Sequence, residues 1–150
     1  PQIYYGTDLL MSNEKHKDHG EIREDFPGGW ASDEKNAFTG KGISNKKLKA
    51  QEFVKELVNW RKNNPVIHTG KLKHYAPKHD GVYSYFRYNE EKTVMVVLNK
   101  SKEERHLKRS YYYEMWKGFS KGKDIFTGKT YNLNDMSAPP RSSLVLELIK

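Results

Sequence analysis

Apolar and polar positions follow three different patterns along the 150 residues, and each predicts a different kind of structure. The stretch PQIYYG places three β-formers, Ile3, Tyr4 and Tyr5, in a row before Gly6 and Thr7 end the run. That pattern predicts a strand over 1–6. Residues 7–45 keep neither the helical nor the strand period and are rich in Gly, Asp and Asn. They predict one long irregular loop, and loops beyond roughly 15 residues are generally functional or disordered. A helical period then sets in, with Ala50, Phe53, Val54, Leu57, Val58 and Trp60 close to i, i+3, i+4, i+7 spacing. The predicted helix covers 46–64. Ser44 or Asn45 caps it, Ile43 staples onto Leu48, Arg61 and Lys62 suit its negative end, and Asn63-Asn64-Pro65 stops it.

Beyond Pro65 the pattern becomes short β segments separated by turn residues. The predicted strands are 71–76, 81–88, 93–99, 105–109, 123–133 and 143–149. Val82, Ser84 and Phe86 fall on one face of the second, with Tyr83, Tyr85 and Arg87 on the other. Asn89-Glu90-Glu91 and Thr127-Gly128-Lys129 read as hairpin turns, whereas YYYEMWKGF (111–119) fits either a strand or a short helical turn. The fold class is therefore mainly β, with an antiparallel sandwich over 66–150. A lone strand and helix joined by so long a loop cannot bury both faces of the strand. Residues 1–65 thus look like the last β/α unit of a barrel whose other units lie upstream.

Composition narrows the classes. With no cysteine, disulfides, thiolate metal sites and cysteine nucleophiles are excluded. A mean hydropathy of −0.95 and the lack of a long apolar run exclude a membrane-spanning helix. The net charge of +8 is uneven: residues 1–40 hold eight acids and four bases, and residues 41–150 hold eleven acids and 23 bases. The bases of the second part are spread over every polar turn instead of forming one arm, which argues against a nucleic-acid partner.

PQIYYGTD resembles the eighth barrel strand of the α-amylase family of glycoside hydrolases, where Gly-x-Pro-x-Ile-Tyr-Tyr-Gly-x-Glu recurs. HGEIREDFPGGW (19–30) with NAFTGKG (36–42) resembles the loop after that strand in the neopullulanase and cyclomaltodextrinase branch. FVKELVNWRKNNPVIHTGKL is similar to the last barrel helix and its exit, and DIFTGKTYNL and SSLVLELI to late strands of the C-terminal sandwich. Asp8 departs from the usual Glu, which leaves its partner open.

The resemblance implies a (β/α)8 barrel with catalysis at the C-terminal ends of its strands, so the loop 7–45 would line the active-site face. It also implies retaining chemistry by an Asp nucleophile, a Glu acid and a further Asp. Those three follow the fourth, fifth and seventh strands, upstream of Pro1, so no catalytic residue is assigned to this chain. It implies no cofactor here, with calcium a matter for the full-length enzyme, and a periplasmic or secreted bacterial location. The implied partners are α-glucan oligosaccharides and the remainder of the barrel, and the edge of strand 1–6 invites self-association.

Arg23, Asp25 and Trp30 are the candidate substrate contacts. Arg and Asp hydrogen-bond sugar hydroxyls, and an indole face stacks on a pyranose. The plainer reading pairs Arg23 with Asp25 and uses Trp30 to anchor the loop. Phe26-Pro27-Gly28-Gly29 supplies a tight turn. His16 and His19 beside Asp18 have metal-pair spacing but no evident third ligand, so a solvated loop is favoured. His79-Asp80-Gly81 reads as a turn, and the aromatic run Tyr111, Tyr112, Tyr113, Trp116, Phe119 as core more than as a sugar platform. Two functions remain: the C-terminal part of an α-glucan hydrolase, or a non-catalytic carbohydrate-binding or structural sandwich.

Overall fold

The computed structural model describes residues 3–12, 23–76 and 80–150. The chain forms two compact units, Pro1–Trp60 and Arg61–Lys150.

In the first unit the expected opening strand is replaced by turns. Residues 5–10 fold back on themselves, and the amides of Leu9 and Met11 both donate to the Gly6 carbonyl, at 3.1 and 3.0 Å. Gly6 holds φ +77°, and a Cβ there would sit 2.5 Å from the Met11 sulfur. Two forces explain the turns. A strand needs a neighbour to satisfy its N–H and C=O groups, and among the described residues no strand lies beside Ile3–Gly6. The left-handed glycine then turns the chain so that the amides are satisfied locally. Ile3 and Tyr4 are left 62% and 58% exposed. Self-association through a strand edge at 1–6 loses its basis for the same reason.

The predicted helix is present as α1 (Asn45–Lys62). The amide of Leu48 bonds to the Ser44 carbonyl at 3.0 Å, placing Ser44 at the helix entrance. None of its residues is buried, and Phe53 and Val58 lie exposed on its apolar stripe. The division between the two compact units falls at 60/61, inside α1. Within the second unit, His68 Nε2 lies 3.0 Å from the Arg61 carbonyl, and Lys92 Nζ donates to Asn64 Oδ1.

That unit begins with α2 (Val66–Thr69) and continues with β1 (Lys71–Tyr75), β2 (Val82–Tyr88), β3 (Thr93–Asn99) and β4 (Arg105–Leu107). After α3 (Tyr113–Trp116) come β5 (Lys121–Asp124), β6 (Thr130–Asn132), β7 (Met136–Ala138) and β8 (Ser142–Ile149). Six strands form one antiparallel sheet in the order β1-β2-β3-β8-β5-β6, and β4 pairs with β7 in a small second sheet. The predicted 123–133 segment is in fact a hairpin, turned at Thr127-Gly128-Lys129 as expected. Asp124, itself buried, accepts from the Thr127 amide and hydroxyl on one oxygen and from the Val145 amide on the other. The ambiguous aromatic run resolves as the single helical turn α3.

Alternation decides which side chains meet. Phe86 lies opposite Met95, and Met95 opposite Leu146, so the core faces of β2, β3 and β8 stack in register. Leu107, Met136 and Leu133 close the core from the other side with α3. Trp116 is fully buried, stacked on Tyr112 at 4.9 Å, and its indole N–H donates to the Met95 sulfur at 3.3 Å. The central strand β3 is buried on both faces because α2 covers part of the outer one, with Val66 of α2 and Val94 of β3 both buried. Lys92 bridges Asn64 and Glu147 at 2.6 Å each across that face.

Candidate functional site

The loop that carries the predicted contacts is shaped by side chains bonding to backbone. Phe26-Pro27-Gly28-Gly29 makes the expected tight turn, with the Gly29 amide donating to Phe26 O at 3.3 Å. Asp33 closes it: one carboxylate oxygen accepts from the Gly28 amide at 2.7 Å and from the Trp30 amide at 3.1 Å. Asn36 repeats the device one turn later, its Oδ1 accepting from the amides of Phe38 and Thr39. Gly28 stands at φ +100° with Asn36 packed so closely that a Cβ would meet its Cγ at 2.7 Å. No larger residue fits that corner without moving the loop. Ala37 returns to bond with Pro27 O at 3.0 Å and is buried, as is Leu9.

These turns enclose a cavity of about 440 Å³. Leu9, Phe26 and Ile43 give it an apolar lining, and Glu24, Asp25, Asp33 and Lys47 stand among the polar groups around it. Of the three predicted contacts, only Asp25 lines this cavity. Arg23 is exposed and makes no ion pair with Asp25, so the plainer reading of the two as partners does not hold. Trp30 is 67% exposed. Asp33, the residue that organises the loop, escapes a linear reading because its role depends on the chain returning to Gly28. The only hint is an Asp five residues after the first glycine of a Gly-Gly turn.

His16, Asp18 and His19 lie outside the described residues, as does His79. Asp80 accepts from the Val82 amide at 3.0 Å, as a turn aspartate does. Among the described residues no group of three or more His, Asp, Glu or Cys side chains is arranged to hold a metal ion. Tyr112, Met115 and Trp116 belong to the core, with burial pushing the Tyr112 hydroxyl up against the opposing pull of its 2.9 Å bond from Ser84.

A mainly antiparallel sandwich following an amphipathic helix is the architecture of the C-terminal domain of amylase-family enzymes. The family model described as the cyclo-malto-dextrinase C-terminal domain matches residues 72–147, just over half of the chain, and the chain belongs to that family. It is 29% identical to a maltogenic α-amylase of Bacillus acidopullulyticus over 105 residues, which is 68% of this chain and 15% of that relative. Among solved structures it is similar to an Anoxybacillus α-amylase, with a TM-score of 0.66 at 16% identity, over 97% of this chain and 28% of that one. It is similar also to AmyP solved with maltotriose (TM-score 0.59, 17% identity, 71% of this chain and 22% of that one). A Bacillus licheniformis trehalose-6-phosphate hydrolase aligns at TM-score 0.56 and 20% identity, over 67% of this chain and 18% of that one. The chain thus spans a small part of each of these proteins, and the low identities of the solved structures speak to the fold alone.

Proposed function

We propose that this chain is the C-terminal part of an α-glucan-hydrolysing enzyme. Residues 1–65 supply the end of its (β/α)8 barrel and residues 66–150 its terminal sandwich. The intact enzyme cleaves α-1,4-glucosidic bonds in starch-derived oligosaccharides, pullulan or cyclodextrins with retention. The carboxylates that do so lie upstream, and the 150 residues alone are inactive. Membership in the cyclo-malto-dextrinase C-terminal domain family carries this reading. It is supported by the alignment with the Anoxybacillus α-amylase, which continues through the first unit. The exposed apolar side chains of that unit, Ile3, Tyr4, Phe53 and Val58 among them, suit a surface made to be covered by further barrel.

In this reading the loop holds glucose units on the non-reducing side of the cleavage point. Asp25 faces them from the cavity wall, while Arg23 and Trp30 reach them from the exposed rim. The enzyme with its upstream sequence restored is expected to hydrolyse maltooligosaccharides with retained anomeric configuration, followed by polarimetry or NMR. Asp25→Ala in that enzyme raises KM or shifts the product lengths, and the 150-residue chain shows no hydrolysis. An upstream sequence without an Asp, a Glu and another Asp after successive strands defeats the proposal.

A further inference from the structure

The turn that leads into β2 carries a chemistry of its own. Of all the aspartates and asparagines in the chain, only Asp80 is followed by glycine. Its carboxylate is folded forward along the chain, with Oδ1 accepting from the Val82 amide at 3.0 Å. An aspartate in that pose carries its Cγ over the peptide that joins it to the next residue. Here the peptide nitrogen belongs to Gly81, which has no side chain to shield it and a permissive backbone on which to turn. Asp80 also lines a cavity of about 200 Å³ between β1, β2 and the segment that leads from β4 to α3. That space holds water and lets the carboxyl swing off the Val82 amide. Asp80 and Gly81 are both half-buried, so solvent reaches them. Asp124 is the contrast: it is buried, spends both oxygens on hydrogen bonds and precedes the branched Ile125.

We propose that Asp80-Gly81 is a site of spontaneous covalent modification, where the folded chain converts Asp80 to isoaspartate with water as the only co-reactant. The Gly81 amide nitrogen attacks Asp80 Cγ and forms a new C–N bond. The hydroxyl of the carboxylic acid leaves as water, taking the amide proton with it, and a five-membered succinimide remains. One water then opens the ring. Attack at the side-chain carbonyl restores aspartate. Attack at the main-chain carbonyl leaves the backbone running through Cγ, one methylene longer, with the former main-chain carbonyl as the free carboxylate. Nothing is oxidised or reduced, and the net charge is unchanged. The longer chain enters β2 where Val82 is buried opposite Asn99 and where Gly81 O accepts from the Lys100 amide at 3.0 Å. The Val82 amide loses its acceptor, so the modification loosens the entrance to β2. This inference does not depend on the chain belonging to a hydrolase.

The test is ageing of the folded 150-residue chain in neutral buffer at physiological temperature, followed by tryptic mapping. Trypsin releases residues 79–87 as one peptide, HDGVYSYFR. Its aspartyl and isoaspartyl forms share a mass but separate by chromatography and fragment differently on electron-transfer dissociation. The isoaspartyl form is expected to accumulate in this peptide and in no other aspartate-containing one, with a trace of succinimide lighter by one water. Asp80→Asn is expected to react faster by the same ring closure, releasing ammonia in place of water. Asp80→Ser keeps an oxygen for the Val82 amide, cannot close the ring, and is expected to leave the peptide unaltered on ageing. In the purified isoaspartyl protein the NMR signals of the Val82 and Lys100 amides are expected to shift, and the unfolding midpoint to fall. A 79–87 peptide that stays unaltered in the aged folded protein overturns the proposal, whatever an unfolded control shows. Equal accumulation at several aspartates overturns the selection of this turn. Unmoved Val82 and Lys100 amides overturn the consequence drawn for β2.

Discussion

The two units reach order by different means. Arg61–Lys150 buries Trp116, Phe86, Met95 and Leu133 completely, in a core that joins both sheets and α3. Pro1–Trp60 buries only two apolar side chains among its described residues, Leu9 and Ala37, and carries Trp30, Phe38 and Ile3 at its surface. Its loop is held by Asp33 and Asn36 accepting from backbone amides. A hydrogen bond to backbone contributes on the order of 1 kcal/mol net, whereas burying one large side chain contributes about 1.5–3 kcal/mol. The first unit therefore has a defined shape but little core beneath it, and the second carries its own stability.

The largest expected effect tests that asymmetry directly. Trp116→Ala removes the indole that fills the space between α3 and β3 and leaves a cavity, a change that costs about 3–5 kcal/mol. Denaturant unfolding followed by near-ultraviolet circular dichroism is expected to show the main transition shifted by that amount. Leu9→Ala, at the buried centre of the first unit, is expected to leave the same transition in place. If Leu9→Ala lowers it as far, the two units unfold as one block and the contrast drawn above is wrong.

The same contrast explains what a linear reading could see. The β2–β3 hairpin was legible because its information is local: Val82, Ser84 and Phe86 alternate with half-buried residues, and Asn89 turns the chain through its own side chain. The helix was legible for the same reason. The strand expected at 1–6 was not, because β-propensity specifies a strand only where a neighbour pairs with it, and Gly6 offered the chain a turn instead. β7 passed unnoticed because three residues are too few for a period to emerge, although Met136 and Ala138 are both buried. α3 was ambiguous because distant partners hold it. Trp116 reaches into the core, and Arg109 donates to the carbonyls of Trp116 and Phe119 at 3.2 Å. In the loop, the role of Asp33 is not legible because its partners are backbone amides set by the fold.

A middle-sized effect sharpens the account of the loop. Asp33→Ala removes an acceptor shared by two amides, which costs about 1–3 kcal/mol in a partly buried setting. The cost is local. Hydrogen exchange at the amides of Gly28 and Trp30 is expected to accelerate by one to two orders of magnitude, with amides of β3 and β8 unaffected. Asp33→Asn keeps one acceptor and is expected to restore most of the protection. Equal acceleration in β3 would mean that the loop supports the sandwich after all.

The smallest effect separates the units by pH. Burial raises the hydroxyls of Tyr75, Tyr85 and Tyr112, with Glu114 adding to the effect at Tyr75 and the Ser84 bond opposing it at Tyr112. The sign follows from linkage. A group that holds its proton more tightly when folded contributes stability that is fully present below the unfolded tyrosine value of about 10, and this is lost as pH rises through the folded value. The second unit is therefore expected to lose stability progressively above about pH 10, with tyrosinate absorbance from its buried rings developing only as it unfolds. Lys73 acts in the same direction, raised first by its hydrogen bond to Glu114 and then by that carboxylate's charge, but its exposure makes the pair easily screened by salt. Added salt is thus expected to remove little of the alkaline loss, because desolvation of the phenols, which salt does not screen, is its main source. Tyr85→Phe should flatten the alkaline slope without moving the midpoint at neutral pH. A slope that disappears in high salt would shift the cause from the buried rings to the surface pair.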